Sequence, residues 1–282
     1  MRVIFSKSTI VHENLALEDC LLDQVDAPPT VLIYRNAPSV VLGKNQNPWR
    51  ECAVSRLDEL GVTLARRVSG GGAVFHDDGN VNISCIIPRD KYQRCEMLNL
   101  FIKGLARGGI KSSVSGGTSL VYEDGRKISG NAFCYRRNNV LHHGTLLWKS
   151  NLELLRKSLI PEVAEMLTRA VASVPMPVVN LSDVVMHIPL DEVVGHILDK
   201  LSGKWGRIEL DDGEFIKREE LANKSQKLSQ WDWVIGATPD FECSIGSHQV
   251  SVHRGRIERV NSATRHPWVG KSFAPDLRSK PD

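Results

Sequence analysis

The run from Val62 to Pro88, VTLARRVSGGGAVFHDDGNVNISCIIP, constrains the fold more than any other stretch of the chain. VTLARRV has the composition of a strand and delivers its C-terminal end into Ser69, Gly70, Gly71 and Gly72. AVFHDDGNVNISCIIP then reads as a hairpin, an apolar strand and a second strand about an Asp-Asp-Gly-Asn turn, ending at Pro88. Strands here follow strands, without the regular strand-helix rhythm of a doubly wound parallel sheet.

The remaining segments agree. Short strands are predicted at 2–5 and 31–34, and HENLALEDCLLDQ between them carries a helix-period face through Leu17, Cys20 and Leu21. Residues 39–46 read as a strand running into a loop, and VSRLDELGV as a short helix closed by Gly61. Leu98, Phe101, Ile102 and Leu105 predict an amphipathic helix over 95–107, packed on the sheet. Residues 119–148 read as a meander, and Val194, Ile197, Leu198 and Leu201 give a second apolar stripe. A polar stretch at 217–230 leads to WDWVIGATPDF and a last hairpin, QVSVHRGRIERV, while the tail SFAPDLRSKPD reads as disordered. The expected fold class is α+β, a mixed and largely antiparallel sheet with packed helices.

A chain of 282 residues with a formal charge of +3 is large enough for a substantial core and too weakly charged to demand a nucleic-acid or membrane partner. No apolar run reaches the length of a membrane span. The six cysteines are scattered without a C-x-x-C pair, the usage of a reducing compartment. The N-terminus lacks an apolar core and is too acidic for a transit peptide. A cytoplasmic enzyme or binding protein is expected.

Ser-Gly-Gly-Gly between strands has two readings, a bend with no ligand or a loop whose main chain approaches one. Arg66 and Arg67 favour the second, since guanidinium groups fork onto phosphate oxygens and successive N–H groups form an anion nest. The segment is not a Walker A loop, nor a G-x-G-x-x-G turn opening a helix. Lys127, in RKISGNA, reads either as a solvated strand-edge lysine or as a second site cation. His142 and His143 are adjacent on a strand, so they point to opposite faces and cannot both hold one metal; no metal site is expected. Trp49, Trp205, Trp231 and Trp233 read as packing residues.

Three stretches taken together, NQNPWREC (45–52), ARRVSGGGAVFHDDGNVN (65–82) and RKISGNAFCYRRNNVLHHGTLL (126–147), resemble the lipoate-protein ligase A and lipoyltransferase family, over roughly residues 1–240. The resemblance implies a catalytic domain similar to that of the biotin and lipoate protein ligases, followed over 241–282 by a short remnant of an accessory domain. It implies an enzyme that activates lipoate with ATP and Mg²⁺ to lipoyl-adenylate and passes the lipoyl group to a lysine of a carrier domain. That carrier would be of the 2-oxoacid dehydrogenase E2 or glycine-cleavage H-protein type. Carried over by residue, Arg67, Gly72, Ala73, Val74, Phe75 and Lys127 would contact the nucleotide. Lys127, Arg66, Gly71 and His143 would contact lipoate, with Lys127 as the catalytic residue.

Two departures accompany the resemblance. Family ligases often carry S-G-R-N-D where this chain has SGGTSL (115–120), so Gly117, Thr118 and Ser119 replace an Arg, an Asn and an Asp. Only about fifty residues follow Trp233, which implies that a separate accessory protein assists adenylation. A lipoyl or octanoyl amidotransferase, and a non-catalytic lipoate or nucleotide binder, are the alternatives. Residues 111–120 contain no cysteine for the former, and Cys134 lies on the wrong side of Lys127.

Overall fold

The computed structural model describes residues 1–185, 187–262 and 266–275. In chain order its N-terminal elements are β1 (Arg2–Phe5), α1 (Val11–Asp23), β2 (Thr30–Tyr34), β3 (Ser39–Leu42), α2 (Pro48–Glu51), β4 (Thr63–Arg66) and β5 (Val74–His76). Next come β6 (Asn80–Pro88), α3 (Arg94–Arg107), β7 (Ser112–Ser115), β8 (Ser119–Tyr122), β9 (Lys127–Tyr135), β10 (Asn139–Leu147) and α4 (Leu152–Ser158). The last third contains β11 (Leu167–Thr168), α5 (Leu181–Val184), α6 (Leu190–Trp205), β12 (Glu209–Asp211), α7 (Arg218–Ser229) and α8 (Trp231–Val234). β13 (Phe241–Ile245), β14 (His248–His253) and β15 (Arg256–Val260) complete it.

The chain divides into two interleaved units rather than at residue 240. Unit 1 comprises 1–37, 76–151 and 175–225; unit 2 comprises 38–75, 152–174 and 226–282. Unit 1 is built on an eight-stranded sheet in the order β12-β1-β2-β6-β10-β9-β8-β7. β12, β1 and β2 are parallel, and every pairing from β2 to β7 is antiparallel. The mixed, largely antiparallel sheet with packed helices is thus as the residue patterns imply.

Alternation sends successive side chains to opposite faces of this sheet. Val31, Ile33, Val81, Ile83, Cys85 and Ile87 join Leu98, Phe101 and Leu105 of α3 and Val194, Ile197, Leu198 and Leu201 of α6 in one core. On the other face α1 is pinned through a buried carboxylate: Glu18 accepts hydrogen bonds from Tyr34 Oη at 2.9 Å, from Ser84 Oγ and from His143 Nδ1 at 3.0 Å. Burial acts to raise the Glu18 pKa, but His143 and the three hydrogen bonds outweigh it and hold the carboxyl below its ordinary 4.5. At its outer edge α1 is tied by Asp19 and Asp23 to Arg136 and to Lys224 of α7.

Unit 2 contains two small sheets, β4-β3-β5 and β11-β13-β14-β15. Three differences from the sequence reading are located here or at its border. The hairpin expected over 73–88 does not form: β5 joins β3, whereas β6 enters the large sheet. The turn between them serves a different purpose, because the Asp77 carboxylate accepts from Gly79 N, Ser150 Oγ and Asn151 N, and Gly79 lies against the Lys149 carbonyl where a Cβ would collide. The helix expected over 54–62 is only a 3-10 turn, Val54–Arg56, whose few residues cannot repay helix nucleation. Finally, the tail is ordered at its start. Phe273 is buried, with its ring centroid 4.8 Å from that of Trp49 and 5.0 Å from that of Phe241. The tail beyond residue 275 lies outside the described residues.

Two outcomes follow for stability. Phe273→Ala removes a buried ring from the core around Trp49 and is expected to cost about 3–5 kcal/mol by denaturant unfolding. Because Glu18 has a depressed pKa in the folded state, its stabilisation is full above 4.5 and is lost as pH falls through the lower folded value. Glu18→Gln is therefore expected to cost about 2–3 kcal/mol near neutral pH, with the gap from the parent narrowing on acidification below that point.

Candidate active site

In unit 2, β3 and β4 run parallel, so the segments that follow Leu42 and Arg66 leave the sheet at the same end. Arg66 is fully buried. Its Nε donates to the Val234 carbonyl at 2.9 Å and its Nη2 to Thr238 Oγ1 at 3.0 Å. Its Nη1 donates to the carbonyls of Gly43, Lys44 and Gln46 at 3.2, 3.1 and 2.8 Å. Burial draws its pKa down to about 10, which leaves it cationic at neutral pH, its charge met by carbonyl dipoles. The expectation that Arg66 contacts lipoate is corrected: all three guanidinium nitrogens are bonded inside the protein and none has a surface.

Arg67 shapes the glycine loop. Its Nε donates to Ser69 Oγ at 2.9 Å, Nη1 to the Val41 carbonyl at 2.9 Å, and Nη2 to the carbonyls of Gly70 and Gly72 at 2.6 and 2.8 Å. In a trans peptide the N–H points opposite to the C=O. Turning the carbonyls of 70 and 72 onto Arg67 therefore turns the N–H groups of Gly71 and Ala73 away from it. Ala73 N donates to Ser173 Oγ at 2.8 Å. The N–H groups of Gly70, Gly71 and Gly72 have no hydrogen-bond partner among the described residues. Consecutive backbone donors left without a protein partner are the raw material of an anion nest.

The glycines are not equivalent. Gly71 has φ +87° and its carbonyl occupies the space where Gly43 would carry a Cβ, so the close approach needs glycine at both 43 and 71. A Cβ on Gly72 would lie 2.8 Å from Ser173 Oγ, whereas one on Gly70 would meet nothing within 4 Å. Ala73 and Val74 are half-buried at the start of β5. The Phe75 side chain packs with Val40, Leu42, Cys52, Leu57 and Val62, so only its main chain is left for a ligand.

In unit 1, Lys127 opens β9, where its N–H donates to the Pro177 carbonyl at 2.8 Å and its own carbonyl accepts from Val179 N at 3.1 Å. Val121 pairs with Lys127 and Leu120 with Ser129, so Ile128 is an extra residue in the ladder. That bulge shifts the alternation of side chains and brings Lys127 to the same face as Gly130. Lys127 Nζ lies 2.9 Å from the point where Gly130 would carry a Cβ, so glycine gives the lysine its resting place. Gly130 N donates to Thr145 Oγ1 on β10 at 3.0 Å. A few residues away, Asn131 Nδ2 donates to the Thr118 carbonyl at 3.0 Å and to Ser129 Oγ at 3.2 Å. Its Oδ1 faces His142 Nε2 at 3.1 Å.

The two histidines of β10 do face opposite ways. His142 is buried against Phe101 and Phe133, with Nδ1 3.3 Å from Tyr92 Oη. Burial first, then the charges of His143 and Arg94, push its pKa down to about 3, so it is a neutral imidazole. With Asn131 Oδ1 as acceptor, the proton sits on Nε2 and Nδ1 accepts from Tyr92. His143 turns to α1 and Glu18.

The sequence reading singled out Lys127, Arg67 and the glycines but not Gly43, Gln46, Asn131, Thr145 or Ser173. Asn131 and Thr145 lay inside quoted motifs, and pairing β9 with β10 in register would have found them. Ser173 carries no local signal.

The lipoyl protein ligase A/B catalytic domain matches residues 11–202. A lipoate-protein ligase A of Bdellovibrio bacteriovorus is 34% identical over 99% of this chain and 88% of its own. Plasmodium falciparum LipL1, solved in complex with lipoate, superposes with a TM-score of 0.72 at 25% identity, over 93% of this chain and 84% of that one. A bipartite lipoate protein ligase from Thermoplasma acidophilum, described with its E2 lipoyl domain, superposes with a TM-score of 0.67 at 21% identity, over 84% and 96%. With a domain match over two-thirds of its length and a full-length relative, the chain belongs to the lipoyl protein ligase A/B family, among the lipoate-protein ligases A.

Proposed function

We propose that the chain attaches lipoate to a lysine of a lipoyl carrier domain through lipoyl-adenylate, and the observation that carries this reading is the run of N–H groups at Gly70, Gly71 and Gly72 without a partner among the described residues. ATP supplies an activated leaving group. A lipoate carboxylate oxygen forms a bond to the α-phosphorus as the bond to pyrophosphate breaks. The carrier lysine then attacks the acyl carbon, AMP departs with the bonding pair, and the amine loses its proton to solvent. The loop meets the α-phosphate charge with backbone donors that need no reorganisation, and Lys127 supplies a cation to the phosphate and the acyl oxygen. Arg67 acts by holding the loop, and the main chain at 72–75 borders the nucleotide. His143, with Glu18, belongs to the lipoate side of the site in this reading. Placement of the amine beside an activated carbonyl supplies much of the acceleration.

Mg²⁺ enters as the counter-ion of the triphosphate, with no carboxylate of the chain assigned to it. The carrier is an E2 or H-protein domain, in line with the E2 lipoyl domain described with the Thermoplasma ligase. That ligase is bipartite, and an accessory protein for adenylation is part of the same reading. No helix among the described residues is long and apolar enough to cross a membrane, and a cytoplasmic place for the reaction is part of the same reading.

The direct test mixes the protein with lipoate, ATP, Mg²⁺ and an apo-carrier and reads the carrier by intact mass. A gain of one lipoyl group supports the ligase. Transfer from a lipoylated donor carrier without ATP would favour an amidotransferase, and no transfer at all would favour a binder. Lys127→Ala is expected to lower both adenylation and transfer at least about a hundredfold. Its stability should change by less than about 1 kcal/mol, since the side chain is half-buried over a glycine. Preformed lipoyl-adenylate is expected to modify the carrier faster than lipoate with ATP does, because transfer places one activated ligand and adenylation must align two anions. Equal rates from both starting points would dispense with the accessory protein.

A further inference from the structure

Ser173 lies in the segment after β11, a hundred residues from the glycine loop in sequence, yet within unit 2 it is bonded to the end of that loop, to Gln46 and to Glu51 of α2. Its Oγ accepts from Ala73 N at 2.8 Å and from Gln46 Nε2 at 3.0 Å. Its own N–H donates to the Glu51 carboxylate at 3.2 and 3.3 Å, which fixes the backbone that carries the hydroxyl. Gln46 is in turn immobilised: its Oε1 accepts from Gly43 N at 2.9 Å, and Gly43 is the residue against which the Gly71 carbonyl is seated. The space beside Gly72 is filled by the Ser173 side chain, with Oγ 2.8 Å from the position of an added Cβ.

We propose that Ser173 is the positioning residue of the glycine loop, setting the orientation of its unpartnered N–H groups toward the nucleotide through the Ala73 amide. Arg67 fixes the loop from inside by its carbonyls at 70 and 72, which holds the 72–73 peptide at its oxygen end. Ser173 does so from outside, by capping the first amide after the glycines. The electron pairs of the hydroxyl are both taken, by Ala73 N–H and Gln46 Nε2–H, so the Ser173 O–H proton is directed away from both. Among the described residues no acceptor meets it, and it adds a fourth donor to those of Gly70, Gly71 and Gly72. Loss of the hydroxyl therefore removes one donor and releases the amide that orients the others.

This inference rests on the nucleotide reading of the loop, and two readouts separate the two. Hydrogen exchange of the Ala73 amide reports the loop without any ligand, and titration calorimetry with ATP reports the site. For Ser173→Ala, the Ala73 amide is expected to exchange at least about tenfold faster and ATP to bind about tenfold more weakly, the worth of one or two lost hydrogen bonds. KM for ATP should rise accordingly while KM for the apo-carrier stays within about twofold and Tm within about 2 °C. Ser173→Thr, which keeps the hydroxyl, should restore Ala73 protection and most of the ATP affinity. Unchanged exchange at Ala73 in the alanine variant overturns the proposal, as does unchanged ATP affinity in that variant when the parent binds ATP. A uniform loss of all kinetic constants with a fall in Tm would show a merely structural serine and overturn it too. If the parent itself binds no ATP, the nucleotide reading fails, and the proposal, which orients the loop toward that nucleotide, fails with it even where Ala73 exchange confirms the contact.

Discussion

The guanidinium of Arg67 is the contact on which the glycine loop of unit 2 depends. A glycine-rich loop left to itself has more backbone freedom than any other segment, and ordering it costs roughly 1–2 kcal/mol per residue. Arg67 offsets this by binding the carbonyls of Val41, Gly70 and Gly72 and the Ser69 hydroxyl with a single rigid fork. Only a planar group with donors on three nitrogens can reach four acceptors at once, so lysine is no substitute here. Once those carbonyls are fixed, Gly71 must take its left-handed φ and Gly43 must be bare to admit the Gly71 carbonyl. The neighbouring Arg66 does the same for the segment 43–46 and for the chain around Val234 and Thr238. Two adjacent arginines, which in isolation suggest two phosphate ligands, are used as internal braces.

Unit 1 solves a related problem with a strand instead of a loop. A lysine on a regular strand would share its face with the residues two and four positions on. The extra residue Ile128 breaks that period and sets Lys127 over Gly130, whose missing side chain leaves room for the ammonium stem. Neutral His142 under Asn131 then keeps a second charge out of the strand pair that carries the cation. The chemistry expected of Lys127 needs a fixed cation, and bulge, glycine and histidine each contribute to fixing it.

Legibility from sequence followed the range of the interactions. α3 and the stripe of α6 were readable because Leu98, Phe101 and Leu105, or Val194, Ile197 and Leu201, announce a helix within two turns. β9, β10 and the last hairpin were readable from alternation and turns. The hairpin at 73–88 was misread because the feature that separates β5 from β6 is Asp77 binding Ser150 and Asn151, seventy residues downstream. Arg66 was misread for the same reason: Val234 and Thr238 are remote in sequence, and nothing in ARRVSGGG distinguishes a guanidinium that turns inward from one that turns to a ligand. The division at 240 failed because β13 pairs with β11 and Phe241 shares a core with Trp49.

The inward arginine has an electrostatic corollary. A guanidinium facing a bound phosphate attracts it directly but also binds water and competing anions in the empty state. Arg67 is 5% exposed and directs its donors to carbonyl oxygens and the Ser69 hydroxyl, so little of it is open to water and competing anions. Each peptide unit whose oxygen it holds is polarised, and the N–H at the far end of that unit becomes a stronger donor, since hydrogen bonds in a chain reinforce one another. The 70–71 unit thus carries part of the arginine's influence to the outward Gly71 N–H, and the 72–73 unit carries it to Ala73 and through it to Ser173. The loop presents directional dipoles where a side chain would present a mobile charge. For a reaction in which negative charge gathers at one phosphorus and is then released with the leaving nucleotide, fixed dipoles can stabilise the charge as it forms without binding the departing anion as tightly as a bare cation would.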